Sequence, residues 1–526
     1  MASTPDELSD LRQQASDFGL AWLEDITDDL LDAGLIKGIP VEWARTHALL
    51  PVRWQGEVCL LMSDPADLGR VDDVALLIGT ELRPVLAPRA SIARSIERCY
   101  VSRPDTAGAF MRGMEAAPGD RPAESRSDDL LKVSDQAPVT QLVNLIMLEA
   151  VKGRASDVHI EPFEDRLRVR YRVDGVLYEQ AEPPRHLEPA LVSRIKVMAK
   201  LDIAEKRLPQ DGMARVRVGE REIDIRVSTI PVAEGERVVL RLLNRESSML
   251  PLADLGLPVR MLAGFQGVLH ESHGLILVCG PTGSGKTTTL YAALRQLDTR
   301  GRNVLTIEDP IEYQIPDIGQ MQVKPKIDLT FARGLRHILR QDPDVILVGE
   351  TRDSETAEIA VRASLTGHLV LTTLHTNDAP SAVIRMMDMG VESYLLAGAL
   401  RASLAQRLVR RLCPQCHQPV VGSAALATPF GAGGERLVGR TVYAAGQCAA
   451  CLEGYRGRVG IFELLLVNDA LQGLIRDGVS SPEAIRTAGA GRQLGLMDDA
   501  LDKVLAGATS LAEVTFALGS IGATAR

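Results

Sequence analysis

The sequence predicts an α/β protein built from several domains, and three observations lead to this prediction. The chain has 526 residues, more than one hydrophobic core usually serves. In its middle part, short apolar runs typical of buried strands alternate with helix-forming segments, such as 275–278 followed by 288–294. The composition is 45% hydrophobic and 24% charged, which is typical of soluble globular proteins. We therefore expect three or four folded units.

The first predicted unit is a small α/β domain at residues 1–102. Strand-like runs occur at 57–62 and 82–86, and the apolar positions of 90–100 have helical spacing. The start of the chain lacks a basic leader with an apolar core, so no signal peptide is expected. No apolar run approaches the roughly 18 residues that a bilayer span needs, and membrane contact is expected only through partners.

Residues 103–129 are predicted to be a linker, and 130–246 a second domain. The linker is rich in Pro, Gly, Ala, Ser and acidic residues and shows no hydrophobic period. The second domain has a helix candidate at 139–150 and alternating strands at 166–173, 214–218 and 222–227, with a hairpin turn at 219–220. Arginine recurs on the polar face of these strands. For most of these arginines, a solvated sheet face is the simplest interpretation.

A phosphate-binding loop follows the apolar run at 275–278 and precedes a helix candidate. It matches G-x-x-x-x-G-K-[ST] and, with the next threonine, comprises Gly280, Pro281, Thr282, Gly283, Ser284, Gly285, Lys286, Thr287 and Thr288. Glycines let backbone N–H groups approach a phosphate, and the helix start adds a positive dipole. Lys286 is expected to neutralise phosphate charge and Thr287 to bind Mg²⁺. The loop predicts binding of ATP or GTP.

Two further strands deliver carboxylates at their carboxyl ends, where a parallel sheet opens onto its ligand. The strand at 304–307 leads to Glu308 and Asp309, and the strand at 344–348 leads to Glu350. Such carboxylates can bind Mg²⁺ or orient the attacking water, and the sequence leaves open which of them is the base. A third strand is flanked by His368 and His375, and His375 is the better candidate for sensing the γ-phosphate.

Two C-x-x-C pairs predict a zinc site at 412–460, followed by a helical region at 461–526. The cysteines are Cys413, Cys416, Cys448 and Cys451. Four thiolates satisfy tetrahedral Zn²⁺ and leave no open catalytic position, so the metal would be structural. The alternatives are redox chemistry or plain packing, but a redox motif needs only one such pair. Cys59, Cys99 and Cys279 are expected to be reduced and buried.

Several segments together resemble the secretion ATPase superfamily. They are 280–287, 306–312, 340–353 and 366–377, which that family labels Walker A, Asp box, Walker B and His box. Residues 154–162 and 206–212 look like the second N-terminal domain of its assembly branch, and 454–463 after the cysteines look like its metal module. The resemblance is strongest to the type II secretion branch. It implies a RecA-like P-loop ATPase core at 250–411, an α+β (PAS-like) domain at 130–246, a small α/β leading domain and a zinc-binding C-terminal module.

This resemblance also implies a homohexameric ATPase that uses ATP, Mg²⁺ and Zn²⁺ and drives protein export across the outer membrane. The expected partners are inner-membrane protein L, which the leading domain contacts, and platform protein F, which would place the protein at the cytoplasmic face of the inner membrane. Phosphate-contacting arginines are expected among Arg207, Arg226, Arg333 and Arg336. Met213 stands where many relatives carry a basic residue, and Arg215 is the candidate to replace it.

Other functions remain open at this point. A type IV pilus assembly motor would share nearly every motif, although the short leading domain and the sequence Ile-Glu-Pro-Phe at 160–163 favour secretion. A nucleic-acid translocase of RecA type is disfavoured by the net charge of −10, the pI near 5.6 and the scarcity of aromatic residues. A non-hydrolysing scaffold would not need Glu350, and no acceptor pocket suggests a small-molecule kinase.

Overall fold

A computed structural model describes residues 5–36, 39–101, 128–129, 138–218, 221–243, 250–489 and 495–522. The chain divides into two compact units, residues 1–244 and 245–526. The predicted linker at 103–129, apart from 128 and 129, and the predicted hairpin turn at 219–220 lie outside the described residues. Within the described ranges, no helix is both long enough and apolar enough to cross a membrane.

The first unit begins with a small α/β domain around a four-stranded sheet in the order β1-β4-β3-β2. Its helices are α1 (Pro5–Phe18), α2 (Val41–His47), α3 (Val71–Ile78) and α4 (Arg89–Val101). Its strands are β1 (Ala21–Trp22), β2 (Leu50–Trp54), β3 (Glu57–Met62) and β4 (Arg83–Leu86). Helix α4 buries Ile92, Ile96 and Tyr100, and the Tyr100 hydroxyl donates to the Ile39 carbonyl at 2.9 Å. The predicted strands and helix of this domain are confirmed.

The second domain is an α+β arrangement around a largely antiparallel sheet in the order β5-β9-β10-β11-β6-β7-β8. Its helices are α5 (Pro138–Lys152) and α6 (Glu188–Met198). Its strands are β5 (Asp128–Asp129), β6 (Asp157–Pro162), β7 (Leu167–Val173), β8 (Val176–Ala181), β9 (Gln210–Val218), β10 (Arg221–Val232) and β11 (Gly235–Leu243). Strand β7 alternates buried apolar residues with half-buried arginines, as its sequence predicts. Tyr171 on β7 donates to the Ile146 carbonyl of α5 at 2.7 Å.

The second unit contains most of the helices and a second large sheet. Its helices are α7 (Val259–Leu269), α8 (Lys286–Leu294), α9 (Phe331–Ile338), α10 (Ser354–Leu365), α11 (Ala379–Asp388), α12 (Ser393–Ala399), α13 (Ala424–Ala427), α14 (Gly431–Gly434), α15 (Asp469–Arg476), α16 (Pro482–Ala488), α17 (Leu496–Leu505) and α18 (Leu511–Gly522). Its strands are β12 (Gly274–Cys279), β13 (Val304–Glu308), β14 (Gly319–Gln322), β15 (Val345–Val348), β16 (Leu369–Leu374), β17 (Leu400–Leu412), β18 (Gln418–Val421), β19 (Thr441–Ala444) and β20 (Tyr455–Leu466).

The large sheet of this unit has the order β14-β13-β15-β16-β12-β17-β20 and is parallel except at β20. Every residue of β12, β15 and β16 is buried, which is why these strands are mostly apolar, with Thr372 and Thr373 of β16 as polar exceptions. Leu275 and Leu277 pack into the core on one face of the sheet, and Ile276 and Val278 pack into the core on the other. Helices on both faces therefore bury the sheet, and the carboxyl ends of its parallel strands share one edge. This confirms the predicted P-loop α/β core.

Strands β17 and β20 carry this sheet beyond the domain boundaries that the sequence predicts. The two strands pair antiparallel along most of their lengths, from Ala402 opposite Leu466 to Leu412 opposite Tyr455. The predicted boundaries at 411/412 and 460/461 thus fall inside strands. The reason is that their ladder, with one register shift between Arg410 and Leu412, extends from the sheet to the cysteines. Local composition does not reveal such a pairing between distant segments.

Candidate nucleotide site and cysteine cluster

The phosphate loop connects β12 to α8 and has the backbone that its glycines permit. Gly280 and Gly285 have φ of 149° and 87°, in the region that side chains disfavour. A Cβ at Gly280 would lie 2.4 Å from the Gln406 carbonyl oxygen, so the loop can approach β17 only with glycine there. The buried Ser284 hydroxyl has no hydrogen-bond partner among the described residues. A glycine cradle with a spare buried polar group suits a phosphate ligand.

Lys286 is the first residue of α8 and is buried within this loop. Its Nζ donates to the carbonyl oxygens of Gly280 at 2.7 Å and Pro281 at 3.1 Å. Burial lowers the pKa of Lys286, and the nearby Cys279 and Glu350 act in the opposite direction. The ammonium group therefore lies inside the loop, in the electrostatic field of Glu350.

Of the other loop residues, Thr282, Gly283 and Thr287 are exposed, and Pro281 and Thr288 are half-buried. Their backbone and hydroxyl groups are thus available on the solvent side of the loop. The buried side of this segment is completed by Thr289, whose hydroxyl donates to Gln406 Oε1 at 2.6 Å.

Glu350 and His375 follow the neighbouring strands β15 and β16 and meet at the edge of the sheet. His375 Nε2 lies 3.6 Å from Glu350 Oε2, and Arg352 Nε lies 2.8 Å from the same oxygen. Burial lowers the pKa of His375 and Lys286 lowers it further, while Glu350 opposes them. The structure thus groups Lys286, Glu350 and His375, whereas His368 lies at the opposite end of β16 and contacts the Ala363 carbonyl at 2.9 Å.

Glu308 ends β13 and has a different environment from Glu350. It is 4% exposed, and its carboxylate accepts hydrogen bonds from the Tyr291 hydroxyl, from Thr306 Oγ1 at 2.5 Å and from Gln320 Nε2 at 3.1 Å. Burial, with Glu308 nearby, raises the pKa of Tyr291, so this phenol remains a donor. Both oxygens of Glu308 are therefore occupied by neutral donors, and the adjacent Asp309 is exposed.

The four arginines predicted to contact phosphate divide between the two units. In the second unit, Arg333 and Arg336 are exposed on α9, and they pair with Asp328 at 2.7 Å and with Glu355, respectively. In the first unit, Arg207 is exposed and pairs with Glu205 at 3.1 Å, and Arg226 lies half-buried on β10. Each of Arg207, Arg333 and Arg336 thus has an acidic neighbour within its own unit.

Met213 and Arg215 lie on β9 beside the β10 arginine. Met213 is directly opposite Arg226 in the ladder and is 53% exposed. Arg215 pairs with Asp224 at 2.8 Å and with Glu222 at 3.5 Å. Arg215, the candidate to replace a basic residue at position 213, is thus already paired with Asp224.

Two site residues on β17 were missed by the sequence analysis. Gln406 is buried against the phosphate loop, and Arg407 donates from Nη2 to Asn377 Oδ1 at 2.8 Å. Burial lowers the pKa of Arg407. The parallel register of Cys279 with Ala405 puts both residues at the carboxyl edge. The sequence signal was a polar pair between the apolar residues 404–405 and 408–409, and this pattern does not indicate which strand lies next to it.

The four paired cysteines form one cluster. Their Sγ atoms all lie within 4.8 Å of one another, with separations of 3.8 Å for Cys413–Cys448, 3.6 Å for Cys416–Cys451 and 3.4 Å for Cys448–Cys451. Four sulfurs at Zn–S distances of about 2.3 Å would be roughly 3.8 Å apart in a tetrahedron. The thiol groups therefore fit a tetrahedral zinc ion.

Comparison with known families places most of the chain in one of them. The family model described as type II/IV secretion system protein matches residues 132–516. A second model, the MshEN domain, matches residues 18–106, which covers most of the leading α/β domain and the first residues of the predicted linker.

Individual proteins extend this result. The chain is 56% identical over 389 residues to type II secretion system protein E of Dickeya dadantii, covering 74% of this chain and 77% of that protein. It is 43% identical over 494 residues to the type IV pilus assembly ATPase PilB of Myxococcus xanthus, covering 92% and 86%. Among solved structures, the Legionella pneumophila ATPase DotB matches with a TM-score of 0.55 at 21% identity, over 74% of this chain and 99% of that one, which supports the fold.

The family match includes the phosphate loop, the carboxylates, His375 and the cysteine cluster. The chain therefore belongs to the type II/IV secretion system protein family and is a secretion ATPase.

Proposed function

We propose that this chain is the ATP-hydrolysing motor of a type II secretion system and works as a homohexamer. Type II secretion proteins E from Dickeya dadantii and Pseudomonas aeruginosa are 56% and 54% identical to it over 74% of its length. The observation that carries the catalytic part of the proposal is the grouping of Lys286, Glu350 and His375 at one edge of a parallel sheet. Three separate strand ends meet there, as phosphoryl transfer requires.

Each residue of the site has a separate role in the proposed hydrolysis of ATP. The loop from Gly280 to Thr288 holds the phosphates of ATP, with Lys286 compensating their charge and the Thr287 hydroxyl binding Mg²⁺. Mg²⁺ held there would supply charge neutralisation at the phosphates. Glu350 orients and deprotonates the attacking water, because its carboxylate faces Lys286, His375 and the exposed Arg352 rather than a set of neutral donors. Glu308 and Asp309 lie at the carboxyl end of β13, the strand next to the one that leads to Glu350, and His375 senses the γ-phosphate.

Arginines complete this site when subunits assemble. Arg207 and Arg226 belong to the first unit, and Arg333 and Arg336 to the second. An arginine brought to the γ-phosphate stabilises the charge of the transition state. We assign this role to one or more of these four, each of which would exchange its present contacts for phosphate. Because Met213 is not basic, it cannot contact phosphate as a basic residue would, and Arg215 would have to leave Asp224 to make that contact.

Zinc has a structural role in this proposal. Cys413, Cys416, Cys448 and Cys451 bind it, and their thiolates leave no site for substrate water. The cluster thereby fixes the ends of β17 and β20 and the loop between them.

The leading domain is assigned to docking on inner-membrane protein L, and the motor acts on platform protein F at the cytoplasmic face of the inner membrane. These assignments rest on the family resemblance and on the type II relatives. No role in nucleic-acid handling is proposed, since the net charge of −10 opposes binding to a phosphate backbone.

A second candidate is the assembly of type IV pili. The specific observation in its favour is that the Myxococcus xanthus pilus ATPase matches 92% of this chain, including part of the leading domain, whereas the type II proteins match 74%. Its lower identity of 43% makes this the second choice.

Steady-state ATP hydrolysis against protein concentration tests the proposal. It is measured with and without the cytoplasmic fragment of protein L, and with Glu350→Gln as the inactive control. Specific activity that rises with concentration, is stimulated by protein L and is lost in the variant supports an oligomeric secretion motor. Stimulation by pilus platform components instead would support the second candidate.

A further inference from the structure

The segment that carries His375 into the site is short and is bonded to several elements of the second unit. It runs from the end of β16 at Leu374 to Asp378, which caps α11 by accepting a hydrogen bond from Ser381 N at 2.7 Å. Asn377 Oδ1 accepts a hydrogen bond from Arg407 Nη2, and the Asp378 carbonyl oxygen accepts one from the Cys279 thiol at 3.3 Å. The position of this segment therefore sets where His375 lies relative to Glu350.

A buried carboxylate from β20 holds the end of this segment. Glu463 is 2% exposed, and its Oε2 accepts from Ala379 N, the first helical residue of α11, at 3.0 Å. Its Oε1 accepts from Arg486 Nε at 2.9 Å, and Arg486 Nη2 lies 3.3 Å from Asp378 Oδ2. One guanidinium from α16 thus bridges two carboxylates at the start of α11.

Burying the Glu463 carboxylate costs free energy unless both of its oxygens have hydrogen-bond partners. Burial raises the pKa of Glu463, and the Ala379 N–H and Arg486 counter that effect. An apolar pair of similar size would serve packing alone at lower cost, because burying a charge pair gains little net stability. The charged pair adds directional bonds, which fix the N-cap carboxylate three residues after His375 and the backbone N–H four residues after it.

We propose that Glu463 and Arg486 are positioning residues for catalysis, which fix the segment after β16 and thereby place His375 against Glu350. Helix α16 and strand β20 then act on the nucleotide site through the segment after β16. This inference rests on the proposed role of His375 in the ATPase reaction.

A double-mutant cycle on the full-length protein tests the inference. Arg486→Met keeps the length of the side chain but removes its bonds, and we expect kcat to fall about tenfold, with KM changing less than about twofold, as expected for lost orientation. In a His375→Ala background the same substitution should have no further effect, because the positioned group is absent. Arg486→Lys, which retains one bond and the charge, should recover part of kcat. Arg476→Met, at an exposed arginine ending α15, is the matched control and should leave both parameters unchanged.

The outcomes separate the inference from the function on which it rests. Full turnover in Glu350→Gln would overturn the proposed catalytic assignment itself. If turnover depends on Glu350, an unchanged kcat in Arg486→Met, or the same fall with and without His375, overturns the positioning role. If Arg486→Met does not fold, Glu463→Gln and Arg486→Lys enter the same cycle, with ADP affinity measured to show that the nucleotide site is intact.

Discussion

The Nε2 atom of His375 lies 3.6 Å from Glu350 Oε2, although the two residues follow different strands of the sheet. Burial, with Lys286 nearby, lowers the pKa of the imidazole, so near neutral pH His375 is uncharged. The pair is therefore a neutral ring beside a carboxylate rather than an ion pair. The cation that pairs with this oxygen is Arg352, whose Nε lies 2.8 Å away on a side chain that is 70% exposed.

Glu350→Gln should reduce kcat by about 100- to 10,000-fold, the range for loss of a general base. The amide keeps the shape of the side chain, so nucleotide affinity should change little. Turnover and the equilibrium binding of ADP are the measurements. Glu358→Gln, at an exposed carboxylate paired with Arg362 on α10, is the control and should behave as wild type. A base elsewhere would be indicated if Glu350→Gln retained its rate.

Lys286→Ala should reduce ATP turnover at least about 100-fold, because a buried cation no longer compensates developing phosphate charge. The fold should survive, since the ammonium bonds only to carbonyl oxygens of its own loop. Turnover and circular dichroism report these two effects. Lys326→Ala, at an exposed lysine, serves as the reference variant. Unchanged turnover in Lys286→Ala would contradict the phosphate-loop assignment.

Cys413→Ser should release zinc and lower the thermal midpoint of the second unit. Loss of a ligand should weaken metal affinity by more than the roughly 10- to 100-fold that follows loss of a supporting group. Metal analysis of purified protein and a thermal melt provide the readouts. Cys59→Ala, at a buried cysteine outside the cluster, should retain its zinc. Equal metal content in the two variants would exclude Cys413 as a ligand.

His159 should make the first unit less stable in acid. Its ring is 8% exposed, neither nitrogen has a partner among the described residues, and burial, followed by Arg172, lowers its pKa. The unfolded chain therefore binds a proton below about pH 6.5 that the folded chain resists, so this contribution to stability is present above that pH and is lost as the pH falls.

Thermal midpoints measured at about pH 7.5 and about pH 6 test this expectation. His159→Phe should show a smaller drop between the two than wild type. His270→Phe, at an exposed histidine, should keep the wild-type drop. An identical drop in His159→Phe and wild type would contradict the assignment.

Much of the site could be predicted because its chemistry is local in sequence. The loop before Lys286 needs its glycines at fixed spacing, and each C-x-x-C pair supplies two ligands from one turn. Strand β3 spans Glu57–Met62, as its apolar run predicts. The grouping of Lys286, Glu350 and His375 followed from one general property of parallel sheets, that carboxyl ends share an edge.

The features that were missed depend on pairing between distant segments. Gln406 reaches the phosphate loop only because β17 lies next to β12, and Glu463 reaches α11 only because β20 lies next to β17. No local period indicates which strands are neighbours. The neutral donors around Glu308 were also missed, since Tyr291 and Gln320 come from a helix and a separate strand whose packing decides the contact.

Strand β17 begins in the sheet, passes the phosphate loop at Gln406 and ends one residue before Cys413. At about 3.3 Å per residue, the stretch between these two positions spans roughly 20 Å. Over this distance it pairs with β20, with one register shift between Arg410 and Leu412, and it connects the proposed nucleotide site to the proposed zinc site. The two proposed sites therefore share one strand, and removing zinc should change how tightly the loop binds nucleotide.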